Sequence, residues 1–129
     1  MKRIVLSAIA VLGMAGMASA DPIEGTWQTQ PDDGRVGHIQ IAPCGGGYCG
    51  TLVRSFDTSG AVVQTGNEGS QIVRQMSPTG GGNYTGKVFR PSNGKVYNGK
   101  AAVSGNSMKL SGCVAGGLLC SSQTWQRVN

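Results

Sequence analysis

Beyond its first twenty residues, the chain has no apolar series at i, i+3, i+4 and i+7 long enough to bury one face of a helix. Glycine provides 22 of the 129 residues, and each one inside a helix would cost more backbone entropy than alanine. Period-two alternation stands where the helical pattern would be. In VGHIQIA, Ile39 and Ile41 share one face, while His38 and Gln40 share the other. In YCGTLVR, Tyr48, Gly50 and Leu52 alternate with Cys49, Thr51 and Val53, and in SMKLSGC, Met108, Leu110 and Gly112 alternate with Lys109, Ser111 and Cys113. Turn signals at Asp33-Gly34, Asn93-Gly94 and Gly105-Asn106 separate these runs. Half-buried strands at short, regular spacing predict an all-β protein: a small antiparallel meander, closed as a barrel or folded as a sandwich.

Glycines inside the strands favour the barrel. Gly50 lies on the face of Leu52, Gly86 on that of Val88, and Gly99 on that of Ala101. An inward glycine lets a strand bend sharply at a barrel corner. Residues 57–83 are the least determined stretch, with Val62-Val63 and Ile72-Val73 standing among polar residues and glycine. One or two short strands joined by loops are expected there, with Thr79-Gly80-Gly81-Gly82 as a flexible connection. A long polar loop is also a place for a binding surface.

The opening MKRIVLSAIAVLGMAGMASA reads as a secretory signal peptide. Lys2 and Arg3 precede the apolar run Ile4 to Leu12, and Ala18-Ser19-Ala20 forms a small-residue cleavage site before Asp21. Residues 1–20 are therefore expected to be removed, leaving 21–129 as a single barrel domain, periplasmic or secreted. The apolar run is too short to span a membrane. The formal charge of +5 falls to +3 without Lys2 and Arg3. Lys87, Lys95, Lys100 and Lys109 are dispersed over several strands and read as solvated side chains that discourage edge pairing. A weak affinity for an acidic envelope surface is the alternative. No basic run interleaved with aromatics points to nucleic acid, and a monomer without cofactor is expected.

Four cysteines in an exported chain of this size read as staples for a modest core. Cys44 and Cys49 flank GGGY, and Cys113 and Cys120 flank VAGGLL. Local pairs 44–49 and 113–120 suit tight connections between adjacent strands and would contribute about 2 to 2.5 kcal/mol each. Crossed pairing would contribute about 4 kcal/mol each but needs the two segments to be neighbours, and the sequence leaves it open. A four-thiolate zinc site would use shorter spacing, and a redox dithiol would show Cys-x-x-Cys. No metal site is therefore expected. Gly45-x-Gly47-x-x-Gly50 matches a dinucleotide pattern only formally, because no helix follows it.

No catalytic constellation emerges either. His38 is the sole histidine, without a Gly-x-Ser-x-Gly elbow to serve. Its place opposite Ile39 and Ile41 makes it an exposed or rim residue. Asp32-Asp33 read as turn residues, while Glu24, Asp57 and Glu68 are scattered and define no pair at hydrolase separation.

The two tryptophans stand near opposite ends of the domain, Trp27 after Gly25-Thr26 and Trp125 two residues before Arg127. Trp125 and Arg127 share a face of the last strand. In a closed barrel the first and last strands are neighbours, so Arg127 is expected over the indole of Trp27, a cation–π contact of about 0.5 to 2 kcal/mol. Gly25, Trp27, Trp125 and Arg127 are the expected closure residues. This arrangement resembles the lipocalin-like, or calycin, signature. The fuller set is Gly25-Thr26-Trp27, Ile39-x-Ile41-x-x-Cys44-Gly45, Cys49-Gly50, Gly94-Lys95-x-Tyr97-x-Gly99-Lys100, Leu110-x-Gly112-Cys113 and Gln123-Thr124-Trp125-x-Arg127. It resembles the exported bacterial "domain of unknown function 2147" family over most of residues 21–129. The resemblance thins between Asp57 and Asn83, where an Asp-x-x-Asn-Pro-like stretch of the family is missing.

Membership implies an envelope location, a β-barrel-like fold and no established activity. With no catalytic set, the expected function is a binding module of the bacterial cell envelope whose rim loops engage a protein or glycan, in an inhibitor-like manner. The alternative is a carrier of a small apolar ligand, and a hydrolytic enzyme has the least support. Because the inward set of Ile, Val, Leu, Ala and Gly is small, a filled interior is expected rather than a hollow one.

Overall fold

The computed structural model describes residues 21–129, so the expected signal peptide lies outside the described residues. Nine strands follow one another: β1 (Gly25–Gln28), β2 (Arg35–Cys44), β3 (Gly47–Asp57), β4 (Val62–Val63), β5 (Gln71–Gly80), β6 (Asn83–Arg90), β7 (Lys95–Ser104), β8 (Ser107–Val114) and β9 (Leu119–Arg127). All pairings are antiparallel, and each long strand lies beside its successor. The ring closes where β9 returns to β1 through Trp27↔Arg127 and Gln28↔Gln126. Eight strands thus make an up-and-down barrel, with β4 attached to the end of β3 through Ser55↔Val63 and Phe56↔Val62. Among the described residues, no helix is long and apolar enough to cross a membrane.

The turn residues explain the hairpins. Asp33 and Gly34 both have positive φ (53° and 74°) between the bridged residues Asp32 and Arg35, the geometry that matches strand twist in a two-residue connection. Gly105 takes φ 60° between the paired residues Ser104 and Ser107.

The segment 57–83 differs from expectation. A single ten-residue strand, β5, occupies most of its second half, and Thr79 and Gly80 belong to that strand. Gly81 and Gly82 alone make the turn to Asn83, at φ 64° and 85°, so the glycine run is a tight hairpin rather than a slack link. The strand escapes detection because it is bulged. Register slips between Arg74 and Ser77, where Gln75 has φ 51°, and an extra residue on one strand breaks period-two alternation. Val73 and Met76 are consequently both buried, and a second irregularity in the pairing with β3, between Gly50↔Val73 and Thr51↔Gln71, leaves the adjacent Ile72 buried as well.

That bulge also accounts for Gly86. A Cβ there would stand 2.6 Å from the Gln75 carbonyl oxygen and 2.7 Å from that of Arg74, so the neighbouring backbone occupies the space of a side chain.

Alternate strand ends define two ends of the barrel. The turns β2–β3, β5–β6 and β7–β8 lie with both termini at one end, here the base. The connections β1–β2, β3–β5, β6–β7 and β8–β9 lie at the other, the mouth. The Cys44–Cys49 disulfide staples the β2–β3 turn at the base, and Cys113–Cys120 joins directly opposed residues of β8 and β9 toward the mouth. With the pairs at opposite ends, crossed pairing has no spatial basis.

Candidate functional site

The base is corked by side chains. Trp27 and Ile23 are fully buried, and the Trp27 indole N–H donates to the Ile23 carbonyl at 2.9 Å. Arg127 lies across the indole, its guanidinium carbon 4.3 Å from the ring centre. It also donates to the carbonyl oxygens of Glu24 (2.6 Å) and Pro22. Strand pairing continues beyond β9, with Thr26 donating to the Asn129 carbonyl and Val128 to that of Thr26. Gly25 is the residue that admits this knot. At φ 133°, its added Cβ would meet the Asn129 carbonyl oxygen at 2.5 Å and an Arg127 guanidinium nitrogen at 2.7 Å. Asp21 accepts a hydrogen bond from the Tyr84 hydroxyl, tying the entering chain to β6. Met76, Tyr84, Ala101 and Met108 are buried with Trp27 in the same core.

The mouth half is different. A cavity of about 420 Å³ occupies it, within the range of ordinary small-molecule pockets. Its walls are apolar, with Ile39, Leu52, Ile72, Val88, Leu110 and Trp125 among them, and polar residues such as Gln30, Asp32, Arg35, Thr65, Asn67 and Arg90 ring its opening. The expectation of a filled interior is thus corrected. The base is filled, whereas the mouth half is hollow. Gly112 lines the wall without a side chain, and a Cβ there would meet only Tyr97, at 3.5 Å; at Gly37, by contrast, Leu52 already fills the space, 2.7 Å from where a Cβ would stand. Trp27 and Trp125, similar in sequence, have been separated in role: Trp27 belongs to the cork, and Trp125 to the cavity wall, its indole N–H held by Gln123 Oε1 at 2.9 Å.

The connection from β3 to β5 is fixed beside this opening by Glu68. Its carboxylate accepts hydrogen bonds from the Thr65 amide and hydroxyl, the Gly66 amide and the hydroxyl of Ser55, a buried cavity-wall residue. The Thr65 and then the Ser55 side-chain bonds, which favour the ionised form, lower its pKa from 4.5 to about 2. Asp57 acts in the same way at the end of β3, accepting from Ser59 and from the Ala61 amide. Nothing in the sequence marked Glu68 out, because its partner Ser55 stands on β3, away from the connection that carries Glu68 and Thr65.

His38 is on the outer face. Its Nε2 lies 3.1 Å from Gln28 Oε1, and its ring packs at 4.7 Å from Phe56. Burial, followed by the nearby Arg54 charge, lowers its pKa. It does not line the cavity, and of the carboxylates only Asp32 and Asp33 do. Among the described residues, His, Cys, Asp and Glu form no group of three or more able to hold a metal ion.

A closed eight-stranded meander with Gly-x-Trp at its base and an arginine from the last strand over the indole is a lipocalin-type barrel. The chain belongs to the family described as "Uncharacterized protein conserved in bacteria (DUF2147)", which matches residues 25–127. Among solved structures it is similar to protein HP1028 from Helicobacter pylori, described as belonging to the lipocalin family. The two share 18% identity over 83% of each chain, with a TM-score of 0.62, a likeness of fold. No curated protein matches the sequence.

Proposed function

We propose that this protein binds a small, largely apolar molecule in the mouth half of its barrel, in the cell envelope. One observation carries the reading: a 420 Å³ cavity with aliphatic and indole walls lies above a base sealed by Trp27 and Arg127. A dry apolar cavity of about 150 Å³ already admits benzene, so this one has room for a molecule roughly twice or three times that size. The polar ring at the opening would orient a ligand bearing one polar end. Among the described residues, the carboxylates that line the cavity are Asp32 and Asp33 of the β1–β2 turn at its opening, which favours binding over turnover.

Native mass spectrometry of protein isolated without denaturation tests this. The wild type is expected to carry an added mass that organic solvent releases, and Gly112→Leu, which places a side chain in the cavity, is expected to lack it. A wild type that remains bare after incubation with envelope lipid extract would refute the proposal.

A second reading, in which rim loops bind an envelope protein or glycan, draws on the exposed Val114, Leu118 and Leu119 at the β8–β9 connection. Affinity capture with and without Leu118→Ser/Leu119→Ser tests it. A stoichiometric partner lost with both leucines would support it.

A further inference from the structure

The charge of this barrel is divided along the chain. All six carboxylates fall within residues 21–68, whereas residues 71–129 hold seven Lys and Arg and no Asp or Glu. Strands β5 to β9 therefore form a wall with cations only. Register then gathers lysines that looked dispersed. Lys87 on β6 is opposite Asn98 on β7, two residues from Lys100. Lys100 is opposite Ser111 on β8, two residues from Lys109. Diagonal neighbours of this kind are about 7–8 Å apart, so the three ammonium groups run as an oblique row across adjacent strands. All three lysines are exposed.

Edge protection does not explain them. Strands β6, β7 and β8 are hydrogen-bonded on both sides, and a closed barrel has no edge to guard. Hydroxyl and amide groups fill the spaces instead. Thr85 and Ser111 flank Lys100 across the strands, Ser111 Oγ lies 2.8 Å from Ser122 Oγ, and Lys87 Nζ donates to Asn98 Oδ1 at 2.6 Å. A shallow depression of about 330 Å³ lies between Lys100 and Lys109, lined also by Thr79, Asn83 and Thr85.

We propose that this outer wall binds a linear acidic polysaccharide, with Lys87, Lys100 and Lys109 pairing to successive anionic groups and the interleaved Thr, Ser and Asn side chains bonding sugar hydroxyls. The site is separate from the cavity and independent of its ligand. Charge complementarity selects an anion, because no carboxylate on these strands competes for the lysines. The oblique row selects a chain over a surface: the wall is convex, and none of the large exposed apolar side chains lies between the lysines to enter a bilayer. No exposed aromatic is there to stack a nucleic-acid base.

The probe is a polygalacturonate oligomer, titrated by calorimetry into the protein at low and at physiological ionic strength. Lys100→Gln/Lys109→Gln is compared with Arg54→Gln/Lys95→Gln, which removes the same charge elsewhere. At roughly fivefold per surface cation, the first variant is expected to lose about twentyfold in affinity and the second less than about threefold, with salt weakening the wild type. Equal losses in both variants would reduce the effect to net charge and overturn the proposal. So would no loss in either, or tighter binding to phosphatidylglycerol vesicles than to the oligomer. Acetylation of the wild type gives a readout without mutation: the oligomer should protect Lys87, Lys100 and Lys109 but leave Lys95 reactive, and uniform reactivity would contradict the site.

Discussion

The two ends of the barrel are made from the same strands and finished in opposite ways. At the base, aromatic and sulfur-containing side chains fill the interior, and the entering chain is tied down by hydrogen bonds from Arg127, Trp27 and Tyr84. At the mouth, glycine replaces bulk at Gly112, and the interior stays open. Gly99 and Gly112 show the contrast at close range, because they are direct cross-strand partners. A Cβ on Gly99 would meet Val88 Cγ2 at 2.6 Å and Met76 Cε at 2.8 Å, whereas on Gly112 its nearest neighbour is Tyr97 Cβ at 3.5 Å. A barrel of small strands can therefore be stable and hollow at once, provided that stability is concentrated at one end.

The largest effect should come from removing the cork. Trp27→Ala deletes a fully buried indole and is expected to cost about 3–5 kcal/mol, read from urea unfolding. A loss under about 1 kcal/mol would mean that the base does not anchor the fold. Next, Arg127→Met keeps much of the side-chain bulk but removes the cation–π contact and the hydrogen bonds to Pro22 and Glu24. About 2–3 kcal/mol is expected, with faster amide exchange at Thr26 and Val128.

The glycine pair sharpens the comparison further. Gly99→Ala overpacks the filled half and should cost about 1–3 kcal/mol. Gly112→Ala gains an ordinary contact with Tyr97, with no clash, and should stay within about 0.5 kcal/mol of wild type. Equal costs would place the boundary between the halves elsewhere.

The smallest effect is local. Glu68 has its pKa lowered to about 2 from 4.5, so its contribution is complete above pH 4.5 and is lost as the pH falls toward about 2. Amide exchange at Thr65 and Gly66 is expected to accelerate through that window while the base stays protected. Glu68→Gln should already be loose at neutral pH and show a much flatter profile.

Much of the base could be read from the sequence, because its elements are short-range or terminal. Gly25-Thr26-Trp27 and Trp125-x-Arg127 carry a fixed geometric meaning once the barrel closes. The family resemblance matched on these residues is shown over 25–127. Strand β5 was hidden by its bulge at Gln75, which set Val73 and Met76 on the same buried side in defiance of alternation. The cavity was illegible for another reason: an inward glycine has one appearance in sequence whether neighbours fill its space, as at Gly99, or leave room for a methyl group, as at Gly112. The lysine row needed register, which no single strand carries.

A crystal structure under xenon pressure measures the division of the interior directly. Xenon is expected among Ile39, Leu52, Leu110 and Trp125, with none between Trp27, Met76 and Met108. Xenon at the base, or none in the mouth half, would contradict a barrel sealed at one end and hollow at the other.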